Sequence, residues 1–385
     1  MDLNVANHGS SVEGFDRPAA SLTSSGTPRL IGLDVARAIA LVGVVAMNYA
    51  GSLVTPGSDR GFWGRVFDPY TGVLSTRFAA AFVVVAGIGI TLLTERARVS
   101  GDRAEVRRAR RRLARRGLLL YAVGFFLDFT WPGTILFYYG AYFLIATMLF
   151  RLTTRWLTVI GLASGIAATT VSTWSTWRWS RGEPVNWLDV DRVNSLQDLA
   201  VRTFLNYTHP VLPWITFVCT GMIIGRHLPT IAAWRRRVLV ISMTTTVSLY
   251  LVATILDRTS SRNGVIVHHL TSMQTFDRGL MFLLSTLGIA VIAVLAVDSI
   301  ARRASTNPLV VVFQRAGQLT LSLYLLHVLA FTVVVDWFEW VGGGSLSTAL
   351  VFAGSFWVIG LSVASWWHHR VGRGPAEIVY RLFGG

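Results

Sequence analysis

The feature that most constrains this chain is a series of ten apolar runs, each about long enough to cross a lipid bilayer as a helix. A hydrocarbon core about 30 Å thick needs roughly 20 helical residues. The runs centre near Leu41, Val84, Tyr121, Phe143, Leu162, Phe217, Ser248, Leu287, Leu326 and Trp357. In lipid, a helix satisfies its own backbone hydrogen bonds. We therefore predict an all-α fold, a polytopic membrane bundle of about ten transmembrane helices.

The charge of the chain is distributed in a way that predicts its orientation in the membrane. Its net charge of +15 comes from arginine alone, because the sequence contains no lysine. The densest cluster is "ERARVSGDRAEVRRARRRLARR", residues 95–116, between two apolar runs. An excess of positive residues marks cytoplasmic loops. We therefore expect residues 95–116 and both termini to be cytoplasmic, and we expect no nucleic-acid partner.

The domain organisation is simple. Residues 1–28 are rich in Ser, Gly and Pro and lack an apolar run, so we predict a disordered cytoplasmic tail. Residues 29–385 form a single transmembrane domain. The one cysteine, Cys219, lies within an apolar run and no metal-ligand spacing is present, so we expect neither a disulfide nor a bound metal. We expect a multi-pass protein of the cell membrane with the lipid bilayer as a partner, and a homodimer stays open.

The first apolar run, "RLIGLDVARAIALVGVVAMNYAG", carries three polar residues. Asp34 and Arg37 are three residues apart and share a helix face, and Asn48 follows Arg37 by eleven residues. Eleven residues make about three turns, which returns Asn48 to nearly the same face about 16 Å further along the axis. Polar groups in the bilayer normally face the bundle interior. The pattern indicates an interior polar stripe, and the alternative is that Asp34 and Arg37 only neutralise each other near the interface.

A second polar stripe lies in "GQLTLSLYLLHVLAF", where Thr320, Tyr324 and His327 share one helix face. If the helix begins near Gly317, His327 lies about 15 Å along it, close to the middle of the bilayer. A neutral imidazole accepts a proton at physiological pH, as a catalytic base must. The alternative is a histidine that makes a hydrogen bond across the bundle for packing.

Two further polar residues lie at the outer ends of apolar runs. His209 precedes Pro210 and Pro213, which are typical of a helix start, so we place it at the outer mouth of a central cavity. Asp128 ends the third run, where it could hold a polar substrate. Either residue is equally compatible with a helix end near water that has no special role.

Arg29, the pair Leu33–Asp34, and Arg37 resemble the first membrane helix of the transmembrane acyltransferase superfamily. Asn48 and the following "YAG" resemble the branch that contains heparan-α-glucosaminide N-acetyltransferase and the YeiB-type membrane proteins. Further similar stretches follow in the same order, among them "TRFAAAFVVVAGIGITLLTERAR", "HPVLPWITFVCTGMIIGR", "GQLTLSLYLLHVL" and "RGPAEIVYRL".

The resemblance implies transfer of an acetyl or short acyl group from a cytoplasmic acyl-CoA, acetyl-CoA above all, to a hydroxyl or amine. The acceptor would be a glycan, a lipid or a small molecule reached from the outer side. CoA would be a co-substrate, and no permanently bound cofactor is expected. The glucosaminide acetyltransferase has its catalytic histidine in the segment after its first helix, but this chain has no histidine between Asn48 and Phe82. Either the base lies elsewhere or the activity is absent, and if there is a base we expect it to be His327.

The expected roles fall into three groups. The catalytic residues are His327, Asn48 and Tyr324; the donor-binding residues are Asp34 and Arg37; and the acceptor-binding residues are His209 and Asp128. Two other functions are compatible with the same residues. One is a transporter or export partner for an acidic small molecule or lipid, and the other is a catalytically inactive membrane scaffold.

Overall fold

A computed structural model describes residues 28–55, 61–259 and 264–385, and within these ranges it contains fifteen α-helices and no strand. The helices are α1 (Pro28–Leu53), α2 (Phe62–Phe67), α3 (Arg77–Ser100), α4 (Arg103–Leu127), α5 (Ile135–Leu149), α6 (Thr154–Ser180), α7 (Leu196–Phe204), α8 (Val211–His227), α9 (Ile231–Thr259), α10 (Val265–Thr271), α11 (Leu280–Arg303), α12 (Pro308–Gln318), α13 (Thr320–Phe331), α14 (Leu346–Arg370) and α15 (Pro375–Gly384). The predicted disordered tail, residues 1–28, lies outside the described residues apart from Pro28, where α1 begins.

The membrane-spanning helices agree with the prediction. Within the described parts of the chain, seven segments are long and apolar enough to cross a membrane: α1, α3, α6, α9, α11, α14, and α13 together with the π-helical turn Thr332–Trp337. Helices α5 and α8 are shorter and apolar, and the second half of α4 reads "GLLLYAVGFFL". All ten predicted centres lie in these ten helices. The chain is therefore an all-α, multi-pass membrane bundle, as predicted.

Close approach of helices is made possible by glycines where α3 crosses α8. A Cβ atom added to Gly87 would lie 2.3 Å from the carbonyl oxygen of Val218, and one added to Gly221 would lie 2.1 Å from that of Val84. Small residues at such crossings let helix backbones pack without intervening side chains. By contrast, only 6% of the most apolar stretch of α9 is buried inside the protein. This helix therefore lies at the periphery of the bundle and presents most of its surface to lipid.

The helix that carries His327 begins later than the sequence suggested. The chain leaves helical geometry at Leu319 (φ −113°, ψ 22°), which separates α12 from α13. The Glu377 carboxylate, from α15, accepts hydrogen bonds from the backbone N–H groups of Leu321 (2.7 Å) and Ser322 (3.1 Å). These groups have no partner within the helix, so Glu377 caps α13. The helix therefore starts at Thr320 and not near Gly317.

The two ends of the bundle differ. The arginine-rich end comprises the α3–α4, α5–α6 and α8–α9 turns, the end of α11, and α15. There Asp298, only 1% exposed, pairs with Arg235 (2.9 Å) and Arg302 (2.9 Å) and joins α9 to α11. We call the opposite end the cavity end. The cytoplasmic location of the arginine-rich end stays a prediction.

Candidate active site

A cavity of about 350 Å³ opens at the cavity end, between α1, α3, α13 and the segments that lead into α5 and α8. Most of its wall is apolar or aromatic, and a few polar side chains converge on it. Such a lining is typical of a site for a small organic ligand. The described polar lining residues include Asn48, Ser52, Tyr70, Thr76, Thr208, His209, Tyr324 and Asp336. Three of the seven predicted site residues, Asn48, Tyr324 and His209, thus share one cavity.

His327 lies directly behind Asn48. Its Nε2 atom is 3.1 Å from Asn48 Nδ2, and its Nδ1 atom is hydrogen-bonded to the backbone oxygen of Tyr324. A carbonyl oxygen only accepts hydrogen bonds, so Nδ1 carries the proton and donates it. In the neutral ring Nε2 is then an acceptor, which matches the Asn48 amide as donor. The Nε2 lone pair, which would accept a proton from a substrate, is therefore occupied by the hydrogen bond from Asn48.

The imidazole of His327 is fixed by its surroundings. The residue is 0% exposed, and the Tyr49 hydroxyl donates a 2.8 Å hydrogen bond to its backbone oxygen. The ring packs edge-on against Trp131, with centroids 5.8 Å apart, and lies 4.8 Å from the ring of Tyr324. His327 therefore makes the hydrogen bond across the bundle that one alternative expected, and its role as a base stays a prediction.

Tyr324 links α13 to the start of α5. Its hydroxyl is 2.8 Å from Thr134 Oγ1 and accepts a 3.2 Å hydrogen bond from the backbone N–H of Ile135. Thr134 in turn caps α5, because its side chain accepts from the backbone N–H of Leu136. The phenol is consequently held in one orientation, and its hydroxyl lies at the cavity wall.

His209 has an unsatisfied ring nitrogen. Its Nδ1 atom is buried without a hydrogen-bond partner, while the ring packs against Trp214 with centroids 4.5 Å apart. Burial, with a smaller contribution from the positive charge of Arg278, lowers the pKa of His209 to about 3. The side chain is therefore neutral at physiological pH. Since buried polar atoms normally have partners, His209 is a natural contact for a polar ligand in this cavity.

Asp128 supports the cavity wall and is not among the described lining residues. One of its oxygens pairs with Arg202 at 2.8 Å, and the other accepts a 2.7 Å hydrogen bond from the backbone N–H of Gly133. Gly133 adopts a positive φ of 82°, a conformation that favours glycine, and it lines the cavity. Asp128 therefore fixes the turn that forms one side of the site, and the structure does not bring it to the acceptor position.

Asp34 and Arg37 lie at the arginine-rich end, about four and three turns of α1 from Asn48 respectively. Their charged groups are 3.6 Å apart, and Gln318 donates a 3.1 Å hydrogen bond to Asp34. The predicted donor-binding pair thus lies at the opposite end of α1 from the cavity that Asn48 lines.

Three residues that matter for the site received no role in the sequence-based prediction, namely Tyr49, Trp131 and Thr134, whereas Asp336 was expected, like Asp128, at the outer end of a helix where it could orient a histidine or hold a polar substrate. The first lies beside Asn48 in "NYAG", and the next two belong to "TWPGT", so both stretches contained the signal. Asp336 is placed at the cavity by the π-helical turn that follows α13. Such turns are rare and often occur at functional sites. Among the described lining residues, Asp336 is the only acidic one.

The chain matches the models of two protein families. A family model described as "Heparan-alpha-glucosaminide N-acetyltransferase, catalytic" matches residues 29–260, more than half of the chain. The chain belongs to this family. A second model, described as "Protein of unknown function (DUF418)", matches residues 227–383. No curated protein sequence matches the chain.

The site draws on both matched ranges. Asn48, Thr134 and His209 lie in the acetyltransferase-like range, whereas Tyr324 and His327 lie in the second one. The hydrogen bonds Asn48–His327 and Thr134–Tyr324 join them. The cavity therefore exists only where the two halves pack together.

Proposed function

We propose that this protein is a membrane acetyltransferase that uses acetyl-CoA from the cytoplasm and acetylates an amine or hydroxyl in the cavity. The observation that carries the proposal is the Asn48–His327 hydrogen bond at the cavity wall of a member of an acetyltransferase family. A cavity of about 350 Å³ accommodates a small acceptor group and an acyl thioester. It does not accommodate a whole CoA, so the nucleotide must bind elsewhere. We further propose the cell membrane as the location.

The chemistry would run through Asn48 and His327 together. As the acceptor attacks the thioester carbonyl, its O–H or N–H proton passes to Nε2 of His327. The Asn48 amide must leave Nε2 at that moment, and it then becomes available to donate to the developing oxyanion. The new acyl bond forms, the C–S bond breaks, and the CoA sulfur takes up the proton held by His327. Tyr324 is the second candidate donor to the oxyanion.

The acceptor is best sought among amines and neutral alcohols. His209 is neutral at physiological pH, and Asp336 contributes a negative charge to the described lining. A carboxylate near a cavity attracts an ammonium group and repels an acidic acceptor. The family name points to a glucosaminide, so glucosamine is the first acceptor to test. Glycan, lipid and small-molecule acceptors all remain within the proposal.

The donor side would begin at the arginine-rich end. Arg37 and Asn48 lie about 16 Å apart along α1, a distance that the extended phosphopantetheine arm of CoA can cover. The nucleotide would thus stay at the cytoplasmic surface while the acyl group reaches the cavity.

The test is CoA release from acetyl-CoA by the purified protein with a panel of amines and alcohols, glucosamine first. His327→Ala should lower turnover by about 10³-fold, the middle of the range for general bases. The matched control is His369→Ala, which removes an exposed histidine from the end of α14. Thermal unfolding should show that both variants are folded. Undiminished turnover in His327→Ala would exclude His327, and a transporter or scaffold predicts no release in any of the three proteins.

A further inference from the structure

The contact between α4 and α15 brings arginines together at the arginine-rich end. The Arg116 guanidinium lies 4.8 Å from the centroid of the Tyr380 ring. The positive charges of Arg112 and Arg381 both act on Arg116. We call Arg112, Arg116 and Arg381 the α4–α15 cluster. Arg112 precedes Arg116 by about one turn of α4, and Arg381 directly follows Tyr380 on α15, so the three cations lie at one contact between two helices.

The α4–α15 cluster lacks carboxylate partners among the residues that the structure describes. Elsewhere on α4, Arg108 lies 3.4 Å from Glu105 and 4.0 Å from Asp102, but no described carboxylate is within 4.0 Å of a cluster arginine. The Nε atom of Arg116 is also buried without a hydrogen-bond partner. Like charges held close together repel each other, and a buried donor without a partner is costly. Both costs are removed if an anion binds between the guanidinium groups.

The position of the cluster connects it to the active site. Helix α15 carries both Arg381 and Glu377, and Glu377 caps the helix on which Tyr324 and His327 lie. An anion at the cluster would therefore lie against the helix whose Glu377 holds the start of α13.

We propose that the α4–α15 cluster is a binding site for a phosphate-bearing ligand. Guanidinium groups match the geometry of phosphate oxygens with paired N–H donors, and they keep their charge. Two sources supply this chemistry: the phosphates of the CoA nucleotide and the headgroup of an anionic phospholipid. The nucleotide form of the inference rests on the proposed function, whereas the headgroup form does not.

Helix α4 offers a matched control. Arg103, Arg107 and Arg110 are exposed residues on the same helix. At about 100° per residue they lie on the face opposite Arg112 and Arg116. Replacing these three residues by Gln removes three positive charges, the same number as replacing the three cluster arginines. The control variant Arg103, Arg107, Arg110→Gln therefore reproduces the change in net charge and leaves the cluster residues unchanged.

The first arm of the experiment uses adenosine 3′,5′-diphosphate, which carries phosphates but no acyl group, with full-length protein in nanodiscs of phosphatidylcholine. Calorimetric affinity should fall at least about tenfold in Arg112, Arg116, Arg381→Gln and about twofold in the control. The variant Arg112, Arg116, Arg381→Lys, which keeps the charge, should lie between them because it loses paired donation. Unfolding midpoints of the ligand-free proteins confirm folding.

The second arm measures phosphatidylglycerol retained by the same proteins in native mass spectrometry, with phosphatidylcholine as reference. Loss of either ligand in the cluster variant and its retention in the control supports the site and names the source. Equal losses in cluster and control variants, or no binding of either ligand by the unmodified protein, would overturn it. His327→Ala should bind adenosine 3′,5′-diphosphate normally, so an inactive enzyme and an absent phosphate site give different results.

Discussion

The cavity end and the arginine-rich end of the bundle are built differently. At the cavity end, Asn48, Tyr324 and His327 are held by specific hydrogen bonds of 2.8–3.2 Å within an aromatic cluster. At the arginine-rich end, the charge pair between Asp34 and Arg37 is longer, 3.6 Å, and Arg37 is 31% exposed. One end fixes the direction of individual atoms, and the other concentrates positive charge.

This difference suggests a division of labour. Hydrogen bonds depend steeply on distance and angle, so a site that moves a proton needs groups held in one geometry. Attraction between a polyanion and several arginines acts over longer distances and tolerates imperfect placement. In the proposed function, bond making therefore belongs to the cavity end and donor capture to the arginine-rich end. Three predictions test the comparison, from the largest expected effect to the smallest.

The largest effect should come from Asn48→Ala. This change removes the proposed oxyanion donor and the partner of His327, so turnover should fall by about 10²-fold to 10³-fold. The measurement is the rate of CoA release at saturating acetyl-CoA. The control is Ser52→Ala, one turn further along α1 and also at the cavity, where the rate should stay within about twofold of the unmodified protein. Equal losses of turnover in the two variants would mean that turnover depends on the cavity as a whole and not on the Asn48 amide.

A smaller effect, on the free energy of unfolding, should distinguish the Asp128–Arg202 ion pair from the Asp34–Arg37 ion pair. Asp128→Asn leaves Arg202 buried without its counter-charge, which should cost about 3 kcal/mol in the free energy of unfolding. Asp34→Asn should cost about 1 kcal/mol or less, because Arg37 is partly exposed. Chemical denaturation in detergent micelles measures both changes.

The variant Asp128→Asn also tests the predicted role of Asp128 in binding. If Asp128 only fixes the turn, the acceptor KM of folded Asp128→Asn should stay close to that of the unmodified protein. A rise of tenfold or more in this KM, with stability unchanged, would restore Asp128 as a direct ligand of the acceptor.

The smallest effect concerns His209 and pH. Its pKa is about 3 in the folded protein and about 6.5 when unfolded. Between these values the unfolded state binds the extra proton, so the contribution to stability is complete above pH 6.5 and is lost as the pH falls towards 3. The loss is at most about 1.4 kcal/mol per pH unit. His209→Gln should therefore show a shallower decline of unfolding midpoint between pH 6 and pH 4. Identical slopes in the two proteins would contradict the buried, neutral state of His209.

How much of the fold and of the site could be predicted from the sequence depends on how far apart in the chain the contacting residues lie. The ten apolar runs and the shared face of Tyr324 and His327 follow from local spacing, and the structure agrees. The separation of Arg37 from Asn48 also follows from the helical rise. Such features need only one helix at a time.

Contacts between helices were not readable in this way. Asn48 and His327 are 279 positions apart in the chain, and helical periodicity says nothing about the depth at which two helices meet. The capping of α13 by Glu377 and the pairing of Asp128 with Arg202 likewise depend on how distant segments dock. The sequence therefore identified the polar residues of the bundle but could not divide them into those that line the cavity and those that support it.

The central claim is that acyl transfer joins the two ends of the bundle, and sidedness in sealed vesicles tests it most directly. Protein is reconstituted in proteoliposomes, with acetyl-CoA outside and an acceptor that supports turnover, glucosamine first, either inside or outside. Product should form only when donor and acceptor are on opposite sides, and it is made by the molecules whose arginine-rich end faces outward. Permeabilised vesicles provide the control for total activity. Equal product formation with both substrates outside sealed vesicles would contradict transfer through the bundle.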